Sequence, residues 1–253
     1  MTLLQTKQKE RNYITNNDHK QHENGIHGSE KTAEHMKQEE VTEISHTQKA
    51  ILNYEGIKDH IHLRILGKQE RGLYESANMT RIFLDFTIAY YVIMTDRTDD
   101  YMIPITEEIL STWAVNGCDI QKQAIHNSGE LYEPEFMTLR WVMENKRNKL
   151  FELTEVPEDV MYILSNPSRI NGSTCVLYPG VLEHIASLVA GSYYLLPSSI
   201  HEVIIVPASC SPKKPELDQM IREINETQLE AEDVLTDHAY YYDHTKNILR
   251  YSN

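Results

Sequence analysis

Apolar positions fall into recognisable periods only from about residue 57 onward. Over residues 1–50 they are scattered with neither a two-residue nor a 3.6-residue repeat, among many Glu, Gln, Lys, Asn and Thr and no proline. This composition predicts a disordered or weakly helical polar tail. Residues 61–66, Ile-His-Leu-Arg-Ile-Leu, alternate apolar and polar, which predicts a half-buried strand with His62 on its solvent face. Residues 82–94 are almost continuously apolar and predict a central strand covered on both faces, with Asp85 near its start, where a turn would keep it wet. Residues 193–196 and 203–206 are two further apolar runs separated by Pro197, Ser198 and Ser199, the pattern of two adjacent buried strands.

Helical spacing fills the middle of the chain. Thr106 stands where an N-cap belongs, with Glu107 and Glu108 in the first turn and Ile109, Leu110, Trp113 and Ala114 on one face, up to a stop at Asn116-Gly117. Asp119 is placed to cap a second helix through Ile120, Ala124 and Ile125, and Phe136, Leu139 and Met143 predict a third after Pro134. Trp113 and Trp141 read as core anchors. Beyond them, residues 161–165 and 174–178 predict a hairpin turning through 166–172, and residues 181–189 a helix ended by Gly191. Leu217, Met220, Ile221 and Ile224 predict a helix after Pro215, and residues 239–242 and 248–251 a last hairpin. Together these predict an α+β fold, a largely antiparallel sheet with helices packed on one face, forming a single domain over 51–253 with a helical middle at about 104–146 and a β-rich part at about 157–253.

Charge narrows the partners. Lys and Arg number 24 against 38 Asp and Glu, a net charge of −14, which disfavours phosphate backbones and anionic membrane surfaces. The one basic run, Lys146, Arg147 and Lys149, is short enough for a solvated helix end. Cys118, Cys175 and Cys210 are odd in number and far apart, so reduced thiols are expected rather than a disulfide framework or a zinc ribbon. The start has no signal-peptide core and no apolar run reaches membrane-helix length, so a cytoplasmic location is expected. His19, His22, His27, His35 and His46 are spaced unlike a metal site, and no cofactor is expected.

Candidate chemistry gathers at Ser198, Ser199, His201 and Glu202, the compact polar cluster between the two apolar runs. One reading is structural: a serine caps the turn and His201 donates to a nearby carbonyl or carboxylate. A hydrolase reading makes His201 a general base oriented by Asp237 or Glu202, with Ser199 or Cys175 as nucleophile, and a metal reading would use His201, Glu202, Asp237 and His238. Neither a Gly-x-Ser-x-Gly elbow nor a His-Glu-x-x-His helix supports them. Tyr240, Tyr241 and Tyr242 alternate about a strand, giving core plus one exposed ring, or a partner-binding patch. The expected function is a non-catalytic module that binds a protein or small ligand through Ser198, Ser199, His201 and Tyr240 to Tyr242; the alternative is a hydrolase using His201.

Several stretches resemble a bacterial family, domain of unknown function 5688. They are Leu84-Asp85-Phe86-Thr87-Ile88-Ala89-Tyr90-Tyr91, Met161-Tyr162-Ile163-Leu164-Ser165-Asn166, Val176-Leu177-Tyr178-Pro179-Gly180-Val181-Leu182, Leu195-Leu196-Pro197-Ser198-Ser199-Ile200-His201-Glu202-Val203 and Asp237-His238-Ala239-Tyr240-Tyr241-Tyr242. The likeness runs over roughly residues 57–253, and a fainter one is to the family numbered 1444. It implies a cytoplasmic α+β protein and supplies no activity, cofactor or catalytic residue. Family members carry a folded strand-and-helix segment upstream of Ile61, so the polar first 50 residues are expected to lack part of that subdomain.

Overall fold

The computed structural model describes residues 53–74, 79–95, 100–143, 160–197 and 199–252. The tail predicted over residues 1–50, the basic run at 146–149 and Ser198 lie outside the described residues. The α+β class with antiparallel pairing holds, built as two sheets.

The first sheet is organised on one long strand. β1 (Ile61–Ile65) pairs antiparallel with β3 (Phe86–Thr95), while β2 (Thr80–Phe83) and β4 (Asp100–Pro104) pair with successive halves of β3. Because β1 overlaps the registers of both, β2 and β4 must share the opposite edge of β3, and Met79 N–H donating to the Ile105 carbonyl at 2.7 Å joins them end to end. The apolar run at 82–94 is therefore not one strand. It folds back at Leu84 and Asp85, where Phe83 faces Phe86 across the hairpin and Leu84 takes φ 56°. That conformation is costly for leucine, and it is held by packing of the side chain against the main core.

Helices α1 (Glu107–Trp113) and α2 (Gly117–Leu131) cover one face of this sheet. Thr106 caps α1 as expected, its Oγ1 accepting from Ile109 N–H at 3.1 Å. The cap of α2 is Asn116 rather than Asp119: its Oδ1 accepts from the N–H groups of Cys118 and Asp119 at 2.9 and 3.0 Å. A side chain immediately before the helix reaches the first free N–H groups, which Asp119, already one turn in, cannot do. Ile120 and Ala124 then meet Leu63, Tyr90, Val92 and Trp113 in a buried cluster.

The second sheet has six antiparallel strands in the order β10-β9-β7-β8-β6-β5. These are β5 (Glu135–Thr138), β6 (Tyr162–Ser165), β7 (Tyr193–Leu196), β8 (Val203–Pro207), β9 (Tyr240–Asp243) and β10 (Ile248–Tyr251). The predicted strand pair at 193–207 forms as expected, with Tyr193 opposite Pro207 and Leu196 opposite Ile204. Its continuous apolar character is explained by helices on both faces. Tyr193, Leu195, Val203 and Ile205 pack toward α3 (Val181–Leu188), while Leu196 and Val206 pack toward Leu217 and Ile221 of α4 (Lys214–Thr227). Each large side chain sealed in this way contributes about 1.5–3 kcal/mol relative to exposure.

Two predicted elements change type. Residues 135–138 form a strand, because Phe136 stacks on Tyr162 at 5.1 Å across from β6 and Thr138 Oγ1 accepts from Trp141 N–H at 3.1 Å, starting the helix after it. Residues 172–177 form a 3-10 segment rather than the second arm of a hairpin, since β5 and β8 already occupy both edges of β6.

The sheets are joined by the chain after β1. Lys68 N–H donates to the Val234 carbonyl at 2.7 Å, and Arg71 donates to the Leu235 carbonyl at 2.8 Å. Gly67 makes this approach possible: a side chain there would collide with the carbonyl of Glu232. Tyr178 Oη also donates to the Ser128 carbonyl at the end of α2, at 3.0 Å. Among the described residues no helix is long and apolar enough to cross a membrane.

His62 is buried, not on a solvent face, because Tyr132 following α2 closes over it beside its cross-strand partner Tyr91. Its Nδ1 lies 3.4 Å from Ser128 Oγ, and that hydroxyl also accepts from Leu63 N–H. Burial, helped by the charge of His60, pushes the imidazole pKa down to about 4. The unfolded chain takes up a proton near pH 6.5 and the folded one only near pH 4, so stability is lost as pH falls through that window. His62→Gln is expected to lose about 2–3 kcal/mol less than the parent chain between pH 7 and pH 4, read from urea unfolding at both values. Equal losses in the two proteins would show that the ring is wet.

Candidate functional site

The polar cluster at residues 199–202 is tied down on every side. Ser199 forms a lone bridge with Val234, Ile200 N–H donates to the Asp233 carbonyl at 2.9 Å, and Ser173 Oγ donates to the Ile200 carbonyl at 2.7 Å. Ser165 Oγ donates to the His201 carbonyl at 2.7 Å, and Ser199 Oγ accepts from His201 N–H at 3.0 Å, the turn-capping role expected of a serine here. The His201 ring has partners at both nitrogens. Asn171 N–H donates to Nδ1 at 3.4 Å, and Nε2 lies 3.3 Å from Asp233 Oδ1. A backbone donor at Nδ1 requires a lone pair there, which places the proton on Nε2, facing the carboxylate. A general base needs a ring nitrogen turned toward substrate; here Nδ1 faces Asn171 N–H and Nε2 faces Asp233.

The other sequence candidates are dispersed. Glu202 pairs with Arg169 at 3.3 Å, and the same guanidinium reaches Met137 Sδ at 3.2 Å. Asp237 is held by Lys68 Nζ at 2.6 Å and Asn225 Nδ2 at 3.0 Å, and the bond from Lys68 is the main cause of its lowered pKa. Cys175 is buried, donates to the Ser165 carbonyl at 3.3 Å, and has its thiol pushed up to about 12 by burial, which removes the thiolate a nucleophile requires. No group of three or more His, Cys, Asp or Glu side chains among the described residues is disposed to hold a metal ion.

A second polar cluster, at the junction of the sheets, pairs residues far apart in sequence. His238 Nε2 lies at ion-pair distance, 3.3 Å, from Asp85 Oδ2, with the rings of Tyr240 and Tyr251 at 5.0 and 5.9 Å from the imidazole. Asp85 Oδ1, His238 Nε2 and Tyr240 Oη are buried without a hydrogen-bond partner, the 3.3 Å approach of Nε2 to Asp85 falling outside hydrogen-bond geometry. The signal in the sequence was Asp85 itself, a lone charge in an apolar run; the turn it occupies is what delivers it to His238.

The tyrosine hairpin divides as its alternation requires. Tyr240 and Tyr242 are buried, the first against Phe86 at 5.2 Å and the second stacked on Tyr193 at 4.9 Å. Tyr241 lies on the other face, edge-on to Tyr194 at 5.2 Å and beneath the Arg250 guanidinium at 5.0 Å. Of the three, Tyr242 reaches a cavity of about 370 Å³ whose walls include Phe83, Val176, Tyr178, Leu182, Ile248 and Leu249. Glu183 and Asn247 form its polar lip, linked by a 3.5 Å contact, and Tyr242 Oη donates to Asn247 Oδ1. Burial, and then the negative charge of Glu183, raises the Tyr242 pKa, so the hydroxyl stays protonated. No apolar period in the sequence pointed to this cleft, because its walls come from β2, the 3-10 segment, α3 and the β9–β10 hairpin.

The family model described as a family of unknown function (DUF5688) matches residues 12–244. The match begins well upstream of residue 57, where the resemblance in the sequence starts, and so extends over most of the polar tail; it does not bear on the fainter likeness to the family numbered 1444. No curated protein matches the chain, and no solved structure does.

The network around His201 closes over Gly172, where a side chain would strike Ser165 Oγ and the His201 carbonyl. Gly172→Ala is expected to cost about 2–3 kcal/mol in urea unfolding. Gly129→Ala, in α2 with open space around it, is expected to gain about 0.5–1 kcal/mol. Similar behaviour of the two would mean that the loop does not pack against the His201 backbone.

Proposed function

The chain belongs to the family of unknown function DUF5688, and on that premise, since kinship supplies no activity, we propose that it is a non-catalytic binding module. The cleft beside Tyr242 takes an apolar group of a partner protein or a small ligand. The observation that carries this reading is a cavity of about 370 Å³ with apolar and aromatic walls and a single polar lip, the usual character of a ligand site. The engagement of both His201 nitrogens supports binding over hydrolysis. The net charge of −14 favours a protein or a small neutral or basic ligand over nucleic acid or an anionic membrane. Cys118, Cys175 and Cys210 are free thiols, which suits the reducing cytoplasm. The reading needs no cofactor.

The neutral dye N-phenyl-1-naphthylamine serves as probe. Its fluorescence should rise on mixing with the full chain, and Ile248→Glu, a change at the exposed mouth of the cleft, should weaken binding at least tenfold, about 1.4 kcal/mol. No enhancement with the parent chain, or equal affinity in the variant, would remove the cleft as the site. Ester turnover of p-nitrophenyl acetate that vanishes in a folded His201→Ala protein would replace binding with hydrolysis.

A further inference from the structure

We propose that the cleft is the side-chain pocket of a strand-addition site: an extended peptide pairs with the free edge of β10, sets an apolar residue into the cleft, and turns a basic residue toward Glu183. This rests on the binding reading above and names its partner.

The edges of the two sheets are treated unequally. The outer edge of β1 is closed by side chains: Leu63 N–H donates to Ser128 Oγ at 3.1 Å, Ile65 N–H to Thr174 Oγ1 at 3.3 Å, and Asn127 Nδ2 to the Ile61 carbonyl at 2.8 Å. All four residues of β5 are buried. β10 stands last in its sheet, bonded to β9 on one side and to no strand on the other among the described residues. Three of its four residues are exposed, with Ile248 at 50 % and Tyr251 at 46 %. Proteins guard such edges by keeping them short or with proline, inward charge or bulges, and β10, at four residues, has the first of these. β10 has no proline, and its one charge, Arg250, is laid over Tyr241.

The β2–β4 edge is also open, with Ile82, Tyr101 and Met102 exposed. Both edges reach the cleft, β2 through Phe83 alone and β10 through Ile248 and Leu249, with Tyr242 and Asn247 of its hairpin beside them. Ile248 and Leu249 form one wall of the cleft and Phe83 another. This is the arrangement strand addition requires, in which main-chain bonds supply affinity and pockets for alternate side chains supply specificity. Side chains two residues apart share a face of a strand, so a peptide with an apolar residue in the cleft presents its neighbours two positions away to the lip. Among the described residues Glu183 is the one charged residue lining the cleft, and its carboxylate accepts from Asn247 Nδ2 at 3.5 Å. That charge, in a chain of net −14, selects a basic peptide. It also argues against a second copy of the chain, which would bring another −14 to the interface.

The test uses the ¹⁵N-labelled full chain and the synthetic peptide acetyl-Lys-Thr-Phe-Thr-Lys-Thr-amide, which places Lys, Phe and Lys on one face. Binding should shift the amides of Ile248 to Tyr251 and slow at least tenfold the hydrogen exchange of the alternate ones that face away from β9. Peptides with Phe replaced by Ala, or Lys replaced by Glu, should bind at least fivefold more weakly, and a backbone N-methylated peptide should not protect β10. Glu183→Gln should erase the preference for lysine and keep that for phenylalanine. Shifts confined to Phe83 and Leu182 without β10 protection would overturn strand addition and leave the cleft as a binding site. Dye binding with no response to any peptide would do the same, whereas failure of both dye and peptide would remove the cleft altogether. Concentration-dependent dimerisation that protects β10 in the absence of peptide would make a second copy the occupant and overturn the proposal.

Discussion

Burial of both faces of the β7–β8 pair is the constraint on which the architecture depends. Residues alternate along a strand, so Tyr193, Leu195, Val203 and Ile205 must be covered from one side and Leu196 and Val206 from the other. α3 and the 3-10 segment meet the first demand and α4 the second. Once both faces are taken, a neighbouring chain can be added only at the edges. β6 and β5 extend the sheet one way and β9 and β10 the other.

The same constraint explains the character of the two polar clusters. His201 and its neighbours lie where the chain re-enters this doubly covered sheet, and several of their hydrogen bonds tie the entry to residues 165–173 and 233–234. Buried polar groups are stabilising only when satisfied, and here many of the partners are backbone groups, with Asn171 Oδ1 left without one. The Asp85–His238 junction holds buried atoms without a hydrogen-bond partner, Asp85 Oδ1, His238 Nε2 and Tyr240 Oη, and sits where the hairpin tip of the first sheet meets the last hairpin of the second. Next to it, Phe83 and the β9–β10 hairpin fail to close completely, and the gap is the cleft.

Local rules served well where an element's signal lay within itself. Thr106 capped its helix, residues 181–188 and 214–227 were helical, and the strands of the 193–207 and 240–251 hairpins took their expected places. Two departures have a remote cause, whereas the cap at Asn116 and the turn at Leu84 and Asp85 are set by neighbouring residues. His62 was assigned to solvent because alternation marks two faces and cannot say that Tyr132 covers the second. Residues 174–178 looked like a strand, but the edges of β6 were claimed by β5 and β8. Of the candidate site residues, Ser199 and His201 meet at the turn, Ser199 Oγ accepting from His201 N–H, and the acid facing the ring is Asp233, while Glu202 pairs with Arg169 and Asp237 with Lys68.

By itself the sequence determined the α+β class, most helix and strand types, the free thiols and the acidic charge that disfavours nucleic acid, since these follow from residue type and from spacing within a few positions. Tertiary structure decided how many sheets there are, which histidine faces which carboxylate, and where a cavity is left. Those are properties of surfaces brought together from distant parts of the chain, as between Lys68 and Asp237, 169 positions apart. The free energy that selects them comes from burial between elements, which no periodicity within an element can encode.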